Sequence, residues 1–321
     1  MICKIRLRYI LVLLFVLHIC VGNTFAQEAD SKKFQLLQKS KRIVFLGDSI
    51  TYSGQYVADF DAWLLTKKLA THPKIINVGL PSETVSGLSE DGHAGGRFPR
   101  PDLAERLDRV LKATNPDLVF ACYGINCGIY QPFDKKRFEK YQTGIRDLKK
   151  KVEAAGAVLV LVTPPYYDDQ RAKKSFSYNG VLDRYAEWLI SQQKKGWLVI
   201  DLHGPMGKEV ADQRKTKPKF TFQPDAVHPN NEGHWFMARQ LFHWFGDKKS
   251  ASAVSKEQWM KDHKVHSKTM RLVRTRVNLL RDAYLSSAGH KRPGIRKGLP
   301  VAKAEKQVKM ITKQIQVLVG K

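Results

Sequence analysis

The sequence predicts an α/β fold, a parallel sheet covered by helices on both sides. Two observations carry that expectation. Five short apolar runs are continuous rather than alternating, which is how strands buried on both faces of a parallel sheet read. Helical patterns stepping by three and four lie between them, and a βαβα order argues for parallel strands with crossover helices. The length of 321 residues suits one large domain, or one domain with an appendage, and a hydrophobic content of 43% supports a sizeable core.

The runs, in order, are "RIVFLG" from Arg42, "KIINVG" from Lys74, "DLVFACYG" from Asp117, "AVLVLVTP" from Ala157 and "WLVIDLH" from Trp197. Leu103, Leu107, Val110 and Leu111 share one helical face. So do Phe138, Tyr141, Ile145, Leu148 and Val152, with Gly156 as a C-terminal stop. Leu182, Tyr185, Ala186, Leu189 and Ile190 predict a third helix ending near Gly196, and Trp235, Ala238, Leu241 and Phe245 a fourth. The aperiodic stretch Pro81–Pro101, with four glycines and three prolines, reads as a long loop of the kind that forms lids or binding loops. After about residue 250 the pattern changes. Met270, Val273, Val277, Leu280 and Tyr284 form one stripe, and Val301, Ala304, Val308, Ile311, Ile315 and Leu318 another. Together they predict a basic helical hairpin over 251–321, appended to an α/β domain over about 40–247.

The net charge is +25, and residues 251–321 hold 17 Lys or Arg against 4 Asp or Glu, a net +13. Such a tail suits an anionic polysaccharide, a membrane surface or nucleic acid; a solvated face is the plainer explanation. Lys4, Arg6 and Arg8 precede the apolar "YILVLLFVLHICVG", and Thr24 and Ala26 stand where a signal peptidase reads. These features predict a signal peptide over residues 1–26 cleaved after Ala26, and a secreted or periplasmic protein. Membrane attachment is expected only if that signal stays uncleaved, and the residues before Cys20 make a poor lipoprotein box. Cys3 and Cys20 leave with the signal. Cys122 and Cys127 remain, and two buried free thiols are favoured over a disulfide across so tight a loop.

Ligands of an open parallel sheet bind at the carboxyl ends of its strands. The first run ends in Ser49, the second in Gly79 and the third in Asn126, while "QPDAVHPNNEGH" places Asp225 and His228 three apart just before a helix. A serine hydroxyl needs a base. His228 can take its proton, and Asp225 can hold the imidazole in the required tautomer. The backbone N–H groups of Ser49 and Gly79 and the Asn126 amide can then donate to an oxyanion. Asp48 reads as structural, bonding nearby backbone. His93 lies in the loop, and a solvated histidine is the plainer reading there. His72, His203 and His234 show no metal-ligand spacing, so no metal is expected; there is no phosphate loop and no nucleic-acid motif.

"GDSIT", the glycine of "NVGL", "YGIN" and "DAVHPN" resemble, in order and separation, the four signature blocks of the SGNH hydrolases, also called the GDSL family. The resemblance covers about residues 40–246. It implies a flavodoxin-like three-layer α/β/α fold with a five-stranded parallel sheet, and ester hydrolysis without a cofactor. It also implies Ser49 as nucleophile, Asp225 and His228 as its triad partners, and Ser49, Gly79 and Asn126 as oxyanion donors. One position departs: family members often carry aspartate after the third-block asparagine, and here it is Cys127. The expected substrate is an acylated carbohydrate, an O-acetyl ester, because the loop "SEDGHAGGRFPRP" is polar and basic. A lysophospholipase or general short-chain esterase is the alternative. A non-catalytic polysaccharide or cell-wall binding protein is the alternative of another class.

Overall fold

A computed structural model describes residues 30–320; the signal-peptide reading of residues 1–26 lies outside them. The sheet has five parallel strands: β1 (Arg42–Gly47), β2 (Lys74–Asn77), β3 (Leu118–Cys122), β4 (Val158–Val162) and β5 (Leu198–Ile200), in the order β2-β1-β3-β4-β5. This is the doubly wound flavodoxin-like order, whose switch point lies where the chain leaves β1 with β2 on one side and β3 on the other. The interior strands are continuous apolar runs because both faces are covered. Phe45 of β1 stacks on Phe120 of β3 at 5.0 Å, and Phe60 packs edge-on against both.

Helices cover the sheet on both sides. A helix over residues 30–39 (α1) comes first. Then follow α2 (Ser49–Ser53), α3 (Gln55–Leu65), α4 (Leu107–Thr114), α5 (Lys135–Ala154), α6 (Asn179–Ser191) and α7 (His203–Arg214). The last are α8 (Asn231–Trp244), α9 (Lys248–Ala251), α10 (Lys256–Asp262), α11 (Ser267–Ala288) and α12 (Val301–Leu318). Gly156 takes φ +80 just past α5, as a C-terminal stop requires. The long loop keeps little regular structure: a 3-10 turn at His93–Gly96, and a bridge between Thr84 and Asp102 that pins its two ends together.

Helix α3 has no counterpart among the helical patterns of the sequence. All of its residues are buried, so it shows no polar face from which a period can be read. Its acids, Asp59 and Asp61, look like surface residues but are 0% exposed. Their counter-ions come from the far end of the chain. Lys256 pairs with Asp59, and Arg276 of α11 reaches both oxygens of Asp61 at 2.7 Å. The two C-terminal helices do form a hairpin. Of the two, α11 packs against α3, α4 and the edge strand β2 as well as α12.

Candidate active site

The β1 run ends at Gly47, where a Cβ would fall 2.1 Å from Thr51 Oγ1; only glycine lets the chain turn so tightly into α2. Asp48 caps α2 by accepting from Ile50 N–H at 3.0 Å. Ser49 is therefore the first residue of α2, and its N–H has no intrahelical acceptor. The Asp48 side chain is buried, and burial pushes its carboxyl up to about 6, against the opposing pull of the Ile50 N–H and of His228.

Pairing between β1 and β2 continues past the strands: Val78 and Leu80 N–H donate to Phe45 and Gly47 O at 2.9 and 2.8 Å. This carries Gly79 beside α2. A Cβ at Gly79 would lie 2.5 Å from Tyr52 N, so the close approach demands glycine. The Gly79 N–H points at Asn77 Oδ1, 2.9 Å away, and Asn77 Nδ2 in turn donates to Thr51 O at 2.6 Å. Beyond β3, Asn126 is 4% exposed. Its Nδ2 donates to Glu83 O at 3.3 Å, which leaves a second amide hydrogen, and its Oδ1 accepts from Tyr130 O–H at 3.0 Å.

The fourth block arrives on the loop between α7 and α8. Buried Asp168, just past β4, holds this loop. Its Oδ2 accepts from Arg214 at 2.6 Å and Thr221 at 2.5 Å, and its N–H donates to Ala226 O at 3.1 Å. Asp225 Oδ1 accepts the N–H groups of His228 and Val227 at 2.7 and 3.0 Å. Asp225 Oδ2 meets His228 Nδ1 at 2.7 Å, and His228 Nε2 meets Ser49 Oγ at 2.8 Å. A carboxylate only accepts, so Nδ1 carries the imidazole proton. The Nε2 lone pair then faces the Ser49 hydroxyl, which donates to it. Burial alone would raise the Asp225 carboxyl, but the bonds from His228 and Val227 outweigh it and hold the group below its ordinary value.

The structure thus brings Ser49, Asp225 and His228 into one hydrogen-bonded line, with Gly79 and Asn126 on loops at the same edge of the sheet. This arrangement can ionise a serine hydroxyl and present amide hydrogens to an oxyanion. The position that departs from the family pattern is Cys127. It is fully buried, and burial pushes its thiol up to about 12, opposed by backbone groups of Val85 and Ser86. It therefore packs against the base of the long loop. Cys122 is also buried, and both thiols are free. The remaining histidines are dispersed. His72 bonds Asp61, His203 bonds Asp183 and His93 bonds Glu90. His234 contacts Ser53, and burial together with the Arg274 charge pushes its imidazole down to about 3.

Sequence reasoning passed over Asn77, Glu83, Arg106 and Tyr123. Glu83 and Arg106 form a bidentate pair at 2.6 and 2.7 Å, and the Tyr123 O–H donates to Glu83 Oε2 at 2.6 Å. All are buried behind Gly79 and Asn126. Nothing in "SETVSG" or "AERLDRV" marks these residues as interior. The one available signal was Tyr123, a polar aromatic closing an apolar strand and in need of a partner.

A family model described as GDSL-like Lipase/Acylhydrolase family matches residues 45–236. A search of curated proteins gives no match. Among solved structures, a gut microbial diltiazem-metabolizing enzyme is 25% identical with a TM-score of 0.49, covering 64% of this chain. The chain spans 47% of that protein's length. An alpha/beta hydrolase enzyme from the metagenome of Lake Arreo, Spain, is 22% identical with a TM-score of 0.50, over 64% of this chain and 95% of its own, and shares the fold. The acetylxylan esterase Axe2 from Geobacillus stearothermophilus is 22% identical with a TM-score of 0.47, over 64% of this chain and 94% of its own.

Proposed function

The chain belongs to the GDSL-like lipase/acylhydrolase family, and from that premise we propose that it is an exported serine ester hydrolase working through an acyl-serine intermediate. One observation carries the reading: the unbroken line Ser49 Oγ, His228 Nε2, His228 Nδ1, Asp225 Oδ2, with contacts of 2.8 and 2.7 Å. His228 removes the Ser49 proton as Oγ attacks the ester carbonyl carbon. The negative charge that develops on the carbonyl oxygen is met by the Ser49 and Gly79 N–H groups and Asn126 Nδ2. Collapse expels the alcohol, which takes the proton from His228. Water, deprotonated by the same imidazole, then releases the acid and frees Ser49.

The substrate we propose is an O-acetylated carbohydrate. Two features support a short acyl group on a bulky polar alcohol. The His228 and Asp225 side chains are 50% and 57% exposed, so the site is open. The loop beside it is charged, with Arg100 held bidentate by Glu90 at 2.6 and 2.5 Å. Cavities of about 470 and 650 Å³ lie elsewhere, along α5 and along α12, and neither is lined by Ser49. Export rests on the first 26 residues, outside the described region. Attraction of anionic polysaccharide to the C-terminal helices is part of the proposal, supported by the exposed Lys303, Lys306, Lys309 and Lys313 on α12.

The test is hydrolysis of acetate, butyrate and palmitate esters beside acetylated xylan, by the wild type and by Ser49→Ala. The expected result is activity on the acetyl substrates, lost by at least about 10⁴-fold in Ser49→Ala and comparably in His228→Ala. A folded, contaminant-free Ser49→Ala protein that kept its rate would remove the mechanism. Preference for palmitate would replace the carbohydrate reading with a lipid one.

A further inference from the structure

The oxyanion donors assigned above sit on two different loops, and their spacing must be held by something beneath them. The Gly79 N–H belongs to the Val78–Gly79 peptide. The carbonyl of that peptide accepts from Arg106 Nη2 at 2.8 Å. The same guanidinium grips Glu83 through Nε and Nη2 at 2.6 and 2.7 Å. Glu83 lies four residues beyond Gly79 on the same loop and ties it to the other one. Its carboxylate takes the Tyr123 O–H, three residues before Asn126, and its backbone carbonyl takes Asn126 Nδ2 at 3.3 Å.

We propose that Arg106 is a positioning residue of the esterase, setting the separation of the Gly79 and Asn126 oxyanion donors through the Val78 carbonyl and through Glu83. This rests on the serine-ester-hydrolase reading above.

Three physical points favour this over a purely structural pair. Arg106 is 1% exposed and Glu83 0% exposed, and a buried ion pair is often no better for stability than apolar residues of the same volume. Arg106 Nη1 is buried without a partner, so the arrangement is not optimised as a fold-stabilising contact. Finally, a guanidinium on a peptide carbonyl draws electron density toward that oxygen and strengthens the N–H of the same amide as a donor. That matters because the Gly79 N–H is engaged by Asn77 Oδ1 at 2.9 Å in the resting site. A forming oxyanion carries charge and competes well against a neutral amide oxygen for that hydrogen.

The experiment uses the full chain with Arg106→Lys, Tyr123→Phe, Asn126→Ala and the pair Tyr123→Phe with Asn126→Ala. It reads thermal stability, kcat and KM on a soluble acetate ester, and inhibition by a trifluoromethyl ketone, whose serine adduct carries the oxyanion. Arg106→Lys is expected to lower kcat by about 10- to 100-fold, a fraction of or up to the loss of one whole donor, with KM within about 2-fold. Tyr123→Phe is expected to lower kcat by about 3- to 10-fold, the scale of one hydrogen bond. Ketone affinity should fall in step with kcat. In the Asn126→Ala background the Tyr123→Phe loss should shrink, because the group it positions is gone. Folded Arg106→Lys and Tyr123→Phe enzymes with wild-type kcat, or with KM raised instead, would overturn the inference. If Arg106→Lys does not fold, Tyr123→Phe decides alone. Ser49→Ala separates the two failures: an active Ser49→Ala enzyme sinks the underlying reading, whereas a dead one beside unaffected Arg106→Lys and Tyr123→Phe sinks only this inference.

Discussion

Residues 47–228 and residues 251–320 stand in opposite relations to the reaction and to the fold. The first span carries every residue of the proposed site. The second carries none, yet it is set into the α/β body. Helix α11 buries Val273, Val277, Leu280, Tyr284 and Leu285. It supplies Arg276 to buried Asp61, and Arg281 lies over the Tyr52 ring at 4.2 Å while donating to Tyr52 O at 2.8 Å. Tyr52 is three residues beyond Ser49. A segment can thus be chemically silent and still underlie the helix that holds Ser49. The difference makes a double expectation: changes in the site should cost rate without stability, and changes on α11 should cost stability without rate.

The largest effect should come from ending the chain at Asp247. Burying a large apolar side chain is worth roughly 1.5–3 kcal/mol, so losing the α11 face removes an amount comparable to the roughly 5–15 kcal/mol that stabilises a whole domain. The truncated chain is expected to be insoluble or to lack a cooperative unfolding transition by circular dichroism. A cooperative, active truncation would break the comparison and make the C-terminal helices an appendage in both senses.

Arg276→Met comes next and isolates one contact. It leaves Asp61, 0% exposed, without its main counter-ion, for which about 3–5 kcal/mol is the usual cost. Burial alone would raise the Asp61 carboxyl; Arg276 and His72 outweigh it and hold the group below its ordinary value. A depressed acid stabilises the fold above its unfolded pKa and stops doing so as pH falls through the folded one. The deficit of Arg276→Met should therefore be full at neutral pH and shrink in acid. Denaturant melts across pH measure this, and kcat per folded molecule should stay at the wild-type value.

The complementary case is Asn126→Ala. It should lower kcat by about 100-fold, equivalent to about 2.7 kcal/mol of barrier, with KM and melting temperature little changed. A raised KM with kcat intact would make Asn126 a ground-state binding group instead.

The same contrast shows what was legible in the sequence. The strands and the placement of the candidate site were, because a two-sided parallel sheet writes continuous apolar runs and its strand ends collect Ser49, Gly79 and Asn126 in one place. Helix α3 was not, since a helix buried all round shows no period. Asp59 and Asp61 carry no local mark of burial, because their partners, Lys256 and Arg276, lie some two hundred positions away. For the same reason part of the C-terminal positive charge is internal neutralisation rather than a free basic face. The Glu83–Arg106 pair was hidden too, as neither local pattern nor spacing marks an ion pair that joins the two ends of the long connection between β2 and α4.

The smallest expected effect on rate accompanies a test of whether the site itself carries a stability cost that the docked helices help to offset. Asp48 is 2% exposed, and burial pushes its carboxyl up to about 6 from an ordinary value of 3.8. For an acid raised in this way, the unfolded chain ionises first as pH rises. Stability attributable to Asp48 is therefore full below about 4, declines between about 4 and 6, and is lowest above 6, where the folded protein holds a buried carboxylate. The rise from 3.8 to about 6 corresponds to on the order of 3 kcal/mol at most. Asp48→Asn keeps an oxygen for the Ile50 N–H and removes the ionisation, so it should match the wild type near pH 4 and exceed it by up to that amount at pH 8 in urea titrations. It should also be slower by a few-fold, because an ionised Asp48 close to His228 favours the imidazolium that forms as Ser49 attacks. A variant no more stable at pH 8 than at pH 4, relative to wild type, would mean that Asp48 is solvated enough to ionise freely, and the contrast between a costly site and its supporting helices would rest on Asp61 alone.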